Sequence, residues 1–212
     1  MNMEWYKLVA IAALFVCIMF FAIQFIKLIR LGAPKDLSKK DGNIGSAVIY
    51  SFTKAMSPTQ KESAYMHLPT YAAGIIYHMG TFAALLLFVL LVLFSFFDVT
   101  VPPVISSVVS GAFLFTSLSG IGILFKRILN KELRSLSGSD DYISNILTSG
   151  AQLVSALYLL FPSVEIFYFL TFVLLFIWLP FGKTKHLMYF FFARFHLGFF
   201  YGWRGTWPQK QH

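Results

Sequence analysis

Apolar positions in this chain come in long unbroken runs, separated by short polar stretches. The runs cover residues 5–29, 68–97, 104–125, 142–161 and 165–181. Crossing the ~30 Å hydrocarbon core of a bilayer takes about 20 apolar residues in a helix. The alternation that marks outer-membrane barrel strands is missing. The pattern therefore predicts an all-α integral membrane protein: one five-helix transmembrane bundle over 1–212, with an aromatic cytoplasmic or interfacial tail over 187–212. In the first run Trp5 and Tyr6 stand at one interface, Lys27 and Arg30 at the other. It is long for a signal-peptide core and no small-x-small site follows, so it is expected to stay as the first helix.

The polar stretches have their own signals. In the connection 30–66, Ala47 to Met56 is expected to form a short interfacial helix, and Ser57-Pro58 to start another helical turn. Residues 98–103 and Pro162-Ser163 read as tight turns. The tail is dense in aromatics from 187 to 207 but carries Arg194, His196 and Arg204. A mid-span arginine is costly, so this segment is expected to lie at the interface or to form a docking surface. No internal repeat is seen.

Composition supports the membrane assignment: 58% of residues are hydrophobic and 12% charged, against roughly a quarter charged in soluble domains. The mean hydropathy is +0.71. The net charge of +8 would suit nucleic acid in a soluble protein, but here it reads as the positive-inside bias. Of the 17 basic residues, six fall in 30–66, four in 126–134 and five in 183–210. With five spans these regions share one side, so the N-terminus is expected outside and the C-terminus in the cytoplasm. Cys17 is the one cysteine, so an internal disulfide and a cysteine-ligated cluster are excluded.

Candidate chemistry rests on the histidines: His67, His78, His186, His196 and His212. Helices two and five run antiparallel in this topology, which puts His78 and His186 at similar depth. An intramembrane ionisable residue is a functional hypothesis by default. The pair suggests bis-histidine ligation of a haem iron; the alternative is that each bonds a backbone carbonyl. Gly74 and Gly80 flank His78, either to admit a flat cofactor or to pack helices. His67 lies 11 residues before His78 and His196 lies 10 after His186. In helices, both steps move about 15 Å toward the cytoplasm. This permits a second bis-histidine haem, against a cap role for His67 and an aromatic setting for His196. Lys183, Lys185 and Arg194 are candidate contacts for haem propionates, or anchors at the headgroups. Met79 and Met188 are alternative axial ligands by type, with Met79 turned away from the face of His78. There is no glycine-rich phosphate loop, no paired intramembrane carboxylates and no Ser/His/Asp arrangement.

Tyr77-His78-Met79-Gly80 in helix two, and Leu179-Pro180-Phe181-Gly182-Lys183-Thr184-Lys185-His186 ending helix five, resemble the gamma-subunit family of respiratory nitrate reductase. That family includes the cytochrome subunits of heterodisulfide-reductase-like and sulfite-reductase-associated complexes. The resemblance covers about residues 1–190. It implies a b-type cytochrome of a bacterial or archaeal cytoplasmic membrane, passing electrons between membrane quinone and a cytoplasmic iron–sulfur or flavin partner. It matches His78 and His186 to the ligands of the haem nearer the cytoplasm. The nitrate reductase subunit has further histidines for an outer haem; about Phe88 and Tyr168 stand there in this chain, so an outer haem is not expected. The alternative reading is a haem-free membrane anchor or small transporter subunit.

Overall fold

In hydrocarbon every backbone N–H and C=O must be satisfied within the protein, and a helix does this segment by segment. The computed structural model describes residues 4–32, 37–60, 62–97 and 101–208, and no strand occurs among them. Lys35, Lys61, Asp98 and 209–212 of the tail lie outside the described residues. The helices are α1 (Trp5–Arg30), α2 (Ile44–Phe52), α3 (Glu62–Met66), α4 (Leu68–Phe97), α5 (Pro103–Leu129), α6 (Lys131–Ser135), α7 (Ser139–Leu160), α8 (Glu165–Trp178) and α9 (His186–Trp203). Among the described residues, α1, α4, α5 and α7 are each long and apolar enough to cross a membrane; a fifth span exists if α8 and α9 count as one broken helix.

Three boundaries differ from the sequence expectation by three residues or more. The third predicted helix runs to Leu129 rather than Phe125, because Lys126 and Arg127 occupy the last turn, where cations suit the helix dipole. The fourth starts at Ser139, where Asp141 accepts the Gly138 N–H at 3.0 Å. The fifth stops at Trp178 rather than Phe181. Pro180 has no N–H to continue the ladder, and the Phe181 and Gly182 N–H groups both turn back to the Trp178 carbonyl. At 14 residues, α8 is about 21 Å long.

The chain divides into two compact units. The first holds residues up to Phe20 and Ala72–Thr184. Its central contact is α5 against α7, through Ser110, Phe113, Ser117 and Gly120 on one side and Ser149, Gln152 and Ala156 on the other, all buried. Small residues let membrane helices approach and bond each other's carbonyls. Ser110 Oγ donates to Ala156 O (2.9 Å), Ser117 Oγ to Ser149 O (3.0 Å) and Asn145 Nδ2 to Gly120 O (3.2 Å). The partners run in opposite directions, so the two helices are antiparallel. A second layer is aromatic: Phe88 of α4 meets Phe172 and Phe176 of α8 at 4.8 and 4.9 Å. Tyr168, Phe169, Phe172, Leu175, Phe176 and Leu179 are buried, the 3.6-residue stripe of a helix facing a core.

The second unit holds Phe21–Tyr71 and the chain from Lys185. Here α2 packs on α9. A Cβ on Gly198 would lie 2.5 Å from Val48 Cα, and one on Gly202 2.6 Å from the Ala47 Cβ. Ser51 Oγ donates to Arg194 O (2.8 Å), and the Asp41 N–H to Trp203 O (2.8 Å). The tail helix thus packs antiparallel to α2, through a G-x-x-x-G face. Phe191, Phe195, Phe199 and Phe200 stay exposed.

Candidate functional site

α4 turns Gly80, Ala84 and Phe88 inward and leaves His78 exposed. His78 Nδ1 lies 2.6 Å from the Gly74 carbonyl, one turn back. A carbonyl only accepts, so Nδ1 carries the proton and the lone pair sits on Nε2, the atom that ligates metals. The two flanking glycines have different roles. A Cβ on Gly80 would collide with Gln152 Oε1 and Thr116 Oγ1, whereas one on Gly74 would meet nothing within 4 Å. Gly80 is therefore a packing residue. Gly74 leaves open surface beside the imidazole.

Behind His78 lies a polar seam. Gln152 Nε2 donates to Thr81 Oγ1 at 2.9 Å and to Tyr77 O at 3.3 Å. Ser119 Oγ donates to Ala73 O at 2.9 Å. The Tyr77 hydroxyl bonds Thr148 Oγ1. Ser119 of α5 and Thr148 and Gln152 of α7 thus fix the rotation of α4 around its axis, which sets the direction of His78. Sequence reasoning missed them. Their signal was present in the spacing of Ser144, Thr148, Gln152 and Ser155 along one face of α7.

Phe88 and Tyr168, the positions matched to an outer haem, are both fully buried. Their rings stack at 6.2 Å with 24° between planes.

His67, His186 and His196 belong to the second unit. His67 precedes α4, its carbonyl accepting the Tyr71 N–H at 3.0 Å, and its side chain is exposed. His186 is the first residue of α9 and is exposed. His196 is half-buried, its ring 4.2 Å from Phe192 and 5.7 Å from Phe195. Ten residues of helix separate the last two by about 15 Å and about 80° of rotation, so they cannot serve one iron. Among the described residues no group of three or more His, Cys, Asp or Glu is placed to hold a metal.

The candidate cations differ in surroundings. Lys183 Nζ pairs with Asp141 Oδ2 at 2.6 Å, and Arg127 reaches the same carboxylate at 3.4 Å. Arg194 is half-buried, contacts Met56 Sδ and lies 5.7 Å from the Phe190 ring. Lys185 is exposed. Met79 is exposed and Met188 half-buried. Comparison with family models, curated proteins and solved structures returns no match.

Proposed function

We propose that this chain is a haem b subunit of a respiratory membrane complex. It exchanges electrons between quinone and an iron–sulfur or flavin partner on the cytoplasmic side of a bacterial or archaeal membrane. The observation that supports the reading best is His78. Its ring is exposed on a membrane helix, its tautomer is set by the Gly74 carbonyl, and the adjacent glycine leaves the surface open. The bond to the Gly74 carbonyl is the contact that the haem-free alternative also expects of His78; what favours a ligand is that it leaves Nε2 as the ligating atom, as in histidines that hold their other ring nitrogen in this way. Bound haem would supply one-electron redox chemistry. The chain's part is to hold His78 Nε2 as a ligand and, by resemblance, His186 as the other. His67 and His196 are the candidates for a second haem. Lys185 and Arg194 remain candidates for propionates, while Lys183 would first have to leave Asp141.

Purified protein reduced with dithionite should show the α and Soret bands of low-spin haem b. His78→Ala should abolish them, because no second imidazole stands on that turn of α4. A haem-free spectrum from the wild-type protein, with no uptake of added haem, would instead favour the membrane anchor or small transporter subunit.

A further inference from the structure

Charge is divided unequally between the two units. The first holds six of the 17 basic residues and six of the nine acidic ones, so it is neutral. The second holds 11 basic residues and three acidic ones, so it carries the whole net charge of +8. Positive-inside placement counts Lys and Arg alone and asks for no such sorting of the acidic residues. Within the second unit the cations gather at two levels of the α2–α9 pair. Ser38 O accepts the Trp203 indole N–H at 2.9 Å, and the Asp41 N–H reaches Trp203 O at 2.8 Å. The exposed Lys39 and Lys40 therefore enter α2 at the end of α9 that carries Arg204, and Asp41 offsets one of these three charges. Ser51 Oγ donates to Arg194 O at 2.8 Å, so the exposed Lys54 leaves α2 near the level of Arg194.

Arg194 is half-buried in a helix without Asp or Glu. Its guanidinium contacts Met56 Sδ and lies 5.7 Å from the Phe190 ring; among the described residues no carboxylate pairs with it. A thioether and a ring face satisfy few of its five N–H donors. Phe190, Phe191, Phe195, Phe199 and Phe200 are exposed on the same helix. Aromatic rings and cations on one helix suit the depth of lipid headgroups.

We propose that the second unit binds anionic phospholipid, with Arg194 as a phosphate contact and Lys39, Lys40, Lys54 and Arg204 as the surrounding positive field. The planar guanidinium matches phosphate oxygens, and basic clusters on membrane-surface helices select anionic lipid. The exposed rings favour lipid over a water-soluble acidic protein, which would match the charge but leave no use for so much apolar surface. The proposal is independent of the haem reading.

The test uses the full chain, reconstituted with an equimolar mixture of phosphatidylglycerol and phosphatidylcholine and repurified in detergent. The ratio of the two lipids retained is read by mass spectrometry. Wild-type protein should be enriched in phosphatidylglycerol, less so as salt is raised. Arg194→Gln should lower the enrichment by roughly fivefold, the effect of one basic residue at an anionic surface, and Arg194→Lys should retain most of it. Lys131→Gln, an exposed charge of the neutral unit, should change nothing. If Arg194→Gln does not accumulate, the exposed Lys54→Gln carries the test with the same expected direction. Wild-type protein that keeps the lipids in the supplied ratio overturns the proposal and leaves the cations to an acidic protein face. Equal losses in Lys131→Gln and Arg194→Gln overturn it too, since the selection would then belong to the general charge of the protein. Enrichment indifferent to Arg194→Gln removes Arg194 from the site, the result expected if that guanidinium holds a haem propionate instead.

Discussion

The glycines around His78 show how much one Cβ decides. Gly74 and Gly80 sit four before and two after the same histidine, yet only Gly80 faces other side chains. Gly120 is similar to Gly80: a Cβ there would meet the Tyr77 ring at 2.5 Å. Forcing a larger side chain into such a contact costs about 1–3 kcal/mol. Gly120→Leu should therefore lower the thermal midpoint of the detergent-solubilised protein. Gly74→Leu should leave that midpoint level or raise it, since glycine is a poor helix residue. The same variant should lose haem, because the added side chain occupies the open surface beside the imidazole. A Gly74→Leu protein with full haem content would show that the cofactor does not approach there. Ser117→Ala removes an interhelical hydrogen bond, which in membranes is worth only about 0.6 kcal/mol. Its effect on the midpoint should be small beside that of Gly120→Leu.

Among the elements, α9 is where amino-acid type and role diverge most. Its aromatic richness and Arg194 suggest a helix lying on a surface, and in the structure Phe191, Phe195 and Phe199 are exposed on one side of it. The other half of the helix is a packing face, because Gly198 and Gly202 let the α2 backbone come close. Gly198→Leu should pry α2 from α9, and limited proteolysis should then cut within 37–60 faster than in wild type. Phe195→Ala should leave that digestion pattern unchanged. If the exposed face docks a redox partner, Phe195→Ala should still weaken co-purification, since buried aromatics anchor interfaces. Truncation at Gly198 cannot separate these roles, because it removes both glycines.

At the scale of the whole molecule, charge placement sets orientation. In the first unit Arg127, Asp141 and Lys183 gather where α5 ends and α7 begins. Where α7 ends and α8 begins, Glu165 accepts from the Tyr6 hydroxyl at 2.5 Å and pairs with Lys7 at 2.7 Å. Lys7 is thus neutralised locally. The other basic residue outside the three polar regions, Lys27, sits in the last turn of α1. With five spans, the positive-inside rule leads to the expectation of a cytoplasmic C-terminus. A cytoplasm-active reporter fused after His212 should work, and a periplasm-active one should not. The reverse result would invert the topology.

The chain itself determined that helices form and roughly where, because continuous apolar runs in hydrocarbon have few ways to satisfy their backbone. Leu68 to Phe97 was legible in outline, since Pro69 marks its start and no Asp, Glu, Lys or Arg interrupts it. Leu179-Pro180 was legible as an ending but not as an ending at Trp178, which depends on which carbonyl the next two N–H groups choose. What only the tertiary structure decided is which face of each helix is inside. Most faces are apolar, so hydrophobic periodicity carries little information and the small and polar residues carry it instead. Ser110, Ser117 and Gly120 found Ala156, Ser149 and Asn145 through shape and hydrogen bonding. Such matching is a property of two surfaces meeting, and no single stretch of sequence contains it. His78 could be singled out for its rarity, but its tautomer and its open flank exist only once Gly74 is placed one turn away and Gln152 holds α4 in rotation.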